Sequence, residues 1–182
     1  MNSDADGSPV SSLPDRQEVI LPTGRVSYRQ AGSGPDMVFL HGLAGNSGTW
    51  IRQFEYFATR FQITAWDAPG YGNSDTVTPD IDVYADLLGD FTASLGIERF
   101  ILLGHSMGGV VAGNFSGRYP DRVARLILSC THLGRNQRPG TPLGAKYLAR
   151  LAQYEELTPL GYGRARAESM TAPGCDPKIL EN

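Results

Sequence analysis

One stretch decides how this chain is interpreted: Gly104-His105-Ser106-Met107-Gly108-Gly109. An apolar run, residues 99–103, precedes it, and a run of small residues, 110–113, follows it. The pattern G-x-S-x-G between a strand and a helix is typical of a nucleophile elbow, a sharp turn that presents a serine at the start of a helix. The pattern therefore predicts that Ser106 is a catalytic nucleophile.

The residues around Ser106 suit such a turn. A tight, strained backbone needs small residues two positions before and two positions after the serine, where Gly104 and Gly108 stand. The helix that follows favours a developing negative charge at its start, so the backbone N–H of Met107 is a natural oxyanion donor. His105 is expected to point to the opposite side of the elbow. The competing interpretation is a plain glycine-rich turn, which the flanking strand and helix make less favourable.

Composition limits the classes of function. The 182 residues, 41% of them hydrophobic and 19% charged, predict a soluble globular chain with a sizeable core. The net charge of -3 argues against a nucleic-acid partner or an anionic membrane. No apolar run is long enough for a transmembrane helix, and the N-terminus lacks the basic and apolar regions of a signal peptide. Two cysteines make no disulfide framework, so a cytoplasmic location is expected and Cys130 is predicted to be buried.

The chain alternates between strand and helix patterns. Residues 18–21 and 25–29 predict a hairpin around Pro22-Thr23-Gly24. Three strand-then-helix units follow, which predicts a parallel sheet covered by helices. The predicted strands are 37–41, 62–67, 99–103 and 123–130, the last one buried; the predicted helices are 50–61, one capped by Asp82 that runs to 95, and 110–119. Beyond a linker at 135–144, weaker helices are predicted at 145–157 and 163–170.

Three motifs together carry a resemblance to a known family. They are His41-Gly42 after one strand, Asp67-Ala68-Pro69-Gly70-Tyr71-Gly72-Asn73-Ser74 after the next, and residues 104–109 after the third. Their order and separations resemble those of the α/β-hydrolase superfamily, in its branch with a serine nucleophile. Within that branch the chain resembles 3-oxoadipate enol-lactonases and meta-cleavage-product hydrolases. The resemblance is strong from Val19 to Leu133.

The resemblance implies a fold and a site. The fold is α/β, a mostly parallel sheet with helices on both faces and an N-terminal β-hairpin, incomplete at its C-terminal end. Leu43 and Met107 occupy the positions whose backbone N–H groups form the oxyanion hole, and His41 and Gly42 shape the oxyanion loop. Residues 1–14 are expected to be a disordered tail, 15–134 the hydrolase core and 135–182 the start of a helical cap. A small-molecule substrate is implied, with no metal and no organic cofactor.

The chain departs from the family at the catalytic acid and base. A serine needs a histidine as general base, and in this fold the order is Ser, then Asp or Glu, then His. Only His132 follows Ser106, just after a strand, and no carboxylate stands in residues 129–131. We therefore expect that the chain stops early, that the acid and the base lie beyond Asn182, and that residues 126–128 form an uncovered sheet edge.

Three functions follow from these patterns. The first is a serine hydrolase that cleaves a small ester, lactone or activated carbon–carbon bond through an acyl-enzyme on Ser106, the 182-residue chain itself having little activity. The second is a non-catalytic relative that binds a small molecule. The third is an acyltransferase or perhydrolase, which uses the same acyl-enzyme with an acceptor other than water. The sequence predicts no oligomeric state.

Overall fold

The computed structural model describes residues 13–132, 140–142, 144–172 and 174. The chain divides into two compact units, Met1–Arg135 and Asn136–Asn182. Most of the predicted tail, residues 1–14, and most of the predicted linker, residues 135–144, lie outside the described residues. The interpretation of the second unit as a cap remains a prediction.

The first unit is built on a six-stranded sheet, with the strands β1 Arg16–Leu21, β2 Gly24–Ala31, β3 Asp36–Leu40, β4 Gln62–Trp66, β5 Phe100–His105 and β6 Val123–Ser129. Their order across the sheet is β1-β2-β4-β3-β5-β6. The four strands β3 to β6 are parallel, and β1 and β2 form an antiparallel hairpin. The hairpin turn is two residues long, since Leu21 pairs with Gly24. The predicted mostly parallel sheet with an N-terminal hairpin is therefore confirmed.

Helices connect the parallel strands at or near the predicted places. They are α1 Ile51–Phe57, α2 Ile81–Ser94 and α3 Met107–Arg118 in the first unit, with 3-10 turns at Ser47–Trp50 and Pro120–Arg122. The predicted N-cap residue of α2, Asp82, was wrong by two positions, since the N-cap is Asp80. Asp80 has extended backbone and its carboxylate accepts a hydrogen bond from the N–H of Asp82 at 2.7 Å. Asp82 therefore lies inside the first turn, where its negative charge still suits the helix N-terminus.

Helices cover both faces of the sheet, as the alternation of side chains along β3 shows. Val38 and Leu40 pack in the cluster formed with α2 and α3, whereas Met37 and Phe39 pack in the cluster formed with α1. All four side chains are buried, because successive residues of a strand point to opposite faces and helices cover each of the two faces. A strand buried on both faces explains the uninterrupted apolar run that predicted it.

Two predictions of burial are wrong at the end of the first unit. Residues 126–128 of β6 are 40%, 40% and 47% exposed, although the run Leu-Ile-Leu predicts a buried strand. Within the described residues β6 pairs only with β5, so the uncovered edge expected at residues 126–128 is present. Cys130, expected to be buried, is exposed with a φ of 48°, because it lies in the turn that leaves the strand.

Within its described residues the second unit forms two helices, α4 Ala145–Glu156 and α5 Pro159–Met170. Tyr154 and Tyr162 meet edge to face with ring centroids 5.5 Å apart, so aromatic packing joins the two helices. Neither these helices nor those of the first unit combine the length and the apolar character that a bilayer crossing requires, over the part of the chain that the structure describes.

Candidate active site

Ser106 lies at the junction of β5 and α3 in a backbone conformation that residues other than glycine seldom adopt. Its φ is 51° and its ψ is −114°. Such strain persists only where the surroundings hold it. Here the N–H of Ser106 donates to the carbonyl of Ser129 at 2.9 Å, and its carbonyl accepts from the N–H of Gly109 at 3.0 Å. Strand β6 on one side and helix α3 on the other therefore fix the turn.

The glycines of the elbow are required by contact rather than by conformation, since neither Gly104 nor Gly108 has a positive φ. A Cβ on Gly104 would lie 2.3 Å from the carbonyl oxygen of Gly108, and a Cβ on Gly108 would lie 2.2 Å from the carbonyl oxygen of Leu40. Both contacts are with backbone, which cannot move aside cheaply. Helix α3 thus begins in direct contact with the end of β3, which no larger residue would allow.

The loop after β3, residues 42–46, lies beside the elbow. A Cβ on Gly42 would be 3.1 Å from the Cβ of Ser106, so the two backbones approach closely. Strands β3 and β5 are neighbours whose connections leave toward opposite sides of the sheet, and ligands of open α/β sheets bind at such a switch point. Leu43, the next residue of the loop, is half exposed and carries the predicted second oxyanion donor.

His41 holds the start of this loop, because both of its ring nitrogens have backbone partners. Its Nε2 accepts a hydrogen bond from the N–H of Ala68 at 2.9 Å, and its Nδ1 lies 2.8 Å from the carbonyl of Gly42. An accepting Nε2 places the proton of the neutral ring on Nδ1, which donates to Gly42. Burial lowers the pKa of His41, and the Gly42 carbonyl and the charge of Asp67 offset only part of that effect.

Asp67 holds the end of the same loop. This fully buried carboxylate accepts from the N–H of Ser47 at 2.6 Å and from the hydroxyl of Ser27 at 2.6 Å. The guanidinium of Arg16 in β1 lies 3.1 Å from it and balances its charge. Since Ser47 follows the loop directly, two consecutive residues after β4, Asp67 and Ala68, anchor both ends of residues 42–46.

Asp67 also organises the turn that follows it. A Cβ on Gly72 would lie 2.1 Å from the Asp67 carboxylate, and the hydroxyl of Ser74 donates to the Asp67 carbonyl at 2.7 Å. These contacts tie both the side chain and the carbonyl of Asp67 to residues 72–74. Arg16, Ser27 and Ser47 were not predicted as partners of Asp67, because no local pattern links them to it.

The other two histidines lie at the carboxyl ends of two neighbouring strands, His105 as the last residue of β5 and His132 three residues after β6. The Nδ1 of His105 is 3.4 Å from the hydroxyl of Ser129, so its ring faces β6. His132 lines a cleft of about 440 Å³ beside α3. The other residues that line the cleft are Ile81, Gly109, Val110, Gly113, Asn114, Leu128 and Thr131. This cleft lies on the flank of α3 that faces the open edge of the sheet.

Thr131 is a contact of the elbow that the sequence pattern does not predict. Its hydroxyl donates to the carbonyl of Ser106 at 2.7 Å. A Cβ on Gly109 would lie 2.5 Å from that side chain, so the second glycine after the elbow makes room for it. The signal in the sequence is weak, because a threonine after a strand is common and its partner lies 25 residues away.

Comparison with known proteins agrees with this architecture. The sequence profile of the alpha/beta hydrolase fold matches residues 35–168. An uncharacterized protein of Mycobacterium tuberculosis is 42% identical over 106 residues, 57% of this chain and 31% of that protein. A 2-hydroxy-6-oxo-6-phenylhexa-2,4-dienoate hydrolase of Comamonas testosteroni is 34% identical over 110 residues, 57% of this chain and 38% of that protein.

A solved structure gives the same result for the fold. The crystal structure of a probable hydrolytic enzyme from Pseudomonas aeruginosa superposes with a TM-score of 0.76 at 20% identity, over 96% of this chain and 62% of that one. The matched regions span about a third of the length of the curated relatives. The family profile covers most of the chain and the strands, elbow and loop lie where that fold requires them, so the chain belongs to the alpha/beta hydrolase fold family.

Proposed function

We propose that Ser106 is the nucleophile of a hydrolase that cleaves a small ester, lactone or activated carbon–carbon bond. One observation carries the proposal: Ser106 is held at a φ of 51° between β5 and the N-terminus of α3. A strained serine at this place has its hydroxyl raised above the sheet edge, where a substrate can reach it. The similarity to a hydrolase of Comamonas testosteroni supports the reaction class. The proposed compartment is the cytoplasm.

The proposed chemistry is acyl transfer in two steps. The Ser106 oxygen attacks the substrate carbonyl and loses its proton to a general base, and the leaving group departs with a proton. The negative charge on the carbonyl oxygen is stabilised by the backbone N–H groups of Leu43 and Met107 and by the start of α3. Water then attacks the acyl-enzyme and releases the acid. No step of this scheme calls for a metal or an organic cofactor.

We further propose that the 182-residue chain turns over slowly. His41 and Asp67 are engaged in holding the oxyanion loop, and His105 faces Ser129, so none of the three serves Ser106. An elbow and oxyanion donors without an acid–base pair still accelerate acyl transfer by roughly 10³–10⁴ over water. A turnover of 4-nitrophenyl acetate equal to that of a complete esterase would contradict this expectation, and would make His132→Ala the next variant to measure.

The experiment that tests the nucleophile is labelling with a fluorophosphonate, followed by intact-mass measurement and peptide mapping. We expect slow labelling at Ser106 that Ser106→Ala abolishes. Ser116→Ala is the matched control, since it removes a hydroxyl of the same helix that donates within the helix to Ala112. Labelling that persists in Ser106→Ala would refute the assignment.

The same experiment distinguishes the non-catalytic binder. That alternative is favoured by the engagement of His41 and His105 with groups other than the Ser106 hydroxyl. It predicts that the folded chain takes up no fluorophosphonate and no acetyl group, whereas a small molecule still protects it against thermal unfolding. Slow acetylation of Ser106 would exclude it.

A further inference from the structure

The carbonyl of Ser106 accepts hydrogen bonds from two directions. Inside α3 the N–H groups of Gly109 and Val110 donate to it at 3.0 and 3.3 Å. From outside the helix the hydroxyl of Thr131 donates to it at 2.7 Å. Thr131 comes two residues after β6, behind the left-handed residue Cys130 that turns the chain toward the elbow. The shortest of the three bonds therefore joins the elbow to the end of a neighbouring strand.

The peptide unit that carries this carbonyl also carries the proposed oxyanion donor. The C=O of Ser106 and the N–H of Met107 belong to one planar trans unit, in which they point in opposite directions. Any group that fixes the direction of the carbonyl thereby fixes the direction of the N–H. A donor on the carbonyl oxygen also polarises the unit, which makes its N–H a stronger donor.

We propose that Thr131 is a positioning residue for the oxyanion hole, acting through the Ser106 carbonyl on the N–H of Met107. This inference rests on the proposed function for its effect on the reaction, and on geometry alone for its effect on the peptide unit. Thr131 does not touch the substrate in this scheme.

The end of β6 holds the elbow on both of its polar backbone groups. Ser129 accepts from the Ser106 N–H at 2.9 Å, and Thr131 donates to the Ser106 carbonyl at 2.7 Å. The bonds from Gly109 and Val110 move with α3. The bond from Thr131 ties the Ser106–Met107 peptide unit to the end of β6, and the bond that Ser129 accepts ties the preceding peptide unit, His105–Ser106, to the same strand. The close fit of Thr131 against Gly109, where a Cβ would lie 2.5 Å from the threonine oxygen, restricts the hydroxyl to this position.

The kinetic test compares Thr131→Val, which keeps the shape and loses the hydroxyl, with Thr131→Ser, which keeps the hydroxyl. The measured quantity is the acetylation of Ser106 by 4-nitrophenyl acetate, followed by mass. Loss of a whole oxyanion donor costs roughly 10²–10³ in rate, so a misdirected donor should cost about tenfold. We expect Thr131→Val to lower the maximal rate by that factor with the half-saturating concentration unchanged, and Thr131→Ser to restore it to within about threefold.

A second measurement does not depend on activity. The amide ¹⁵N shift of Met107 responds to hydrogen bonding at the preceding carbonyl, so it should move in Thr131→Val and stay near the wild-type value in Thr131→Ser. The amide of Leu95, at the end of α2, provides the reference. Should valine disturb the turn, Thr131→Ala removes the same hydroxyl with a smaller side chain.

The outcomes separate the two proposals. If wild-type Ser106 is not acetylated, the proposed function fails, and the Met107 shift alone decides the role of Thr131. If Ser106 reacts and Thr131→Val reacts as fast as the wild type, the positioning role is refuted and the proposed function stands. An unchanged Met107 shift in Thr131→Val refutes it in either case.

Discussion

Strands β3 and β6 lie on the two sides of β5 and pair with the same residue of it, yet their environments differ completely. Leu40 of β3 and Leu128 of β6 are both register partners of Gly104. Leu40 is fully buried, whereas Leu128 is 47% exposed. The two apolar runs look alike in the sequence. The two strands differ in the number of neighbouring strands, because β3 lies between β4 and β5, whereas β6 pairs with β5 alone within the described residues.

The largest expected effect is on stability, when the leucine that pairs with Gly104 is truncated in β3 and, separately, in β6. Leu40→Ala should lower the free energy of unfolding by about 3 kcal/mol, since it leaves a cavity in a fully packed layer. Leu128→Ala should lower it by about 1 kcal/mol or less, because half of that side chain already contacts water. Urea denaturation measures both values, and equal losses would show that β6 is covered in solution.

The second prediction compares the two glycines that begin α3. A Cβ on Gly108 meets the backbone of β3 at 2.2 Å, whereas a Cβ on Gly109 meets the side chain of Thr131 at 2.5 Å. Gly108→Ala should therefore cost about 3 kcal/mol and Gly109→Ala about 1 kcal/mol, because the backbone that carries Thr131 lies in a loop at the sheet edge and can shift as a whole, whereas a central strand cannot.

The control for these substitutions is Gly113→Ala on the same helix, where a Cβ meets nothing within 4 Å. Alanine is the better helix former, so this variant should be more stable than the wild type by about 0.5–1 kcal/mol. If Gly109→Ala were the costlier of the first two, the β6 side would be the more rigid one.

The third prediction concerns pH on the β3 side. Burial lowers the pKa of His41, whereas the unfolded chain binds the same proton near pH 6.5. The unfolded state thus holds more protons below that pH, and the free energy of unfolding falls as the pH falls. The loss begins near pH 6.5 and reaches at most about 1.4 kcal/mol per pH unit. His41→Gln, which can still accept from Ala68, removes this contribution. In denaturation experiments at pH 7.5, 6.5 and 5.5, the difference in unfolding free energy between the wild type and His41→Gln should therefore shrink as the pH falls. A difference that stays constant over this range would refute the prediction.

The smallest effect on stability is expected at the exposed edge itself. Ile127→Lys places a charge on an apolar side chain that is 40% exposed and should change the free energy of unfolding by only about 0.5 kcal/mol. It should nevertheless reduce self-association at high protein concentration, because lysine on an edge strand discourages strand pairing.

Light scattering coupled to size exclusion measures this association. Val83→Lys is the matched control, since it adds the same charge to an exposed apolar position on α2. A wild-type chain that stays monomeric at high concentration would show that the edge does not pair with a second copy.

The features that the sequence predicted are those encoded by neighbouring residues. The alternation of strands and helices follows from runs and periodicities within about fifteen residues, and the strained turn at Ser106 follows from its two flanking glycines. The N-cap of α2 was misassigned within such a window, because Asp80 and Asp82 are chemically identical and only the chain direction at entry separates them.

The features that the sequence did not predict depend on contacts across the sheet. The bonds of Asp67 reach Ser47 and Ser27, 20 and 40 residues away, and that of Thr131 spans 25 residues. No local pattern encodes such partners. The predicted burial of β6 was wrong for a related reason. An apolar run indicates that a strand forms, whereas the exposure of that strand depends on which segments lie beside it.

The anchoring of residues 42–46 at both ends has a consequence for how this scaffold can change. His41 and Ser47 are tied to consecutive residues after β4, so the span between the anchors is set without any side chain of the loop itself. Leu43 is half exposed and Ala44 has a φ of 64°, which glycine would adopt without strain. Diversity introduced at these two positions would therefore alter what the loop presents to a ligand while its ends stay in place, which makes them the economical starting point for a mutational library.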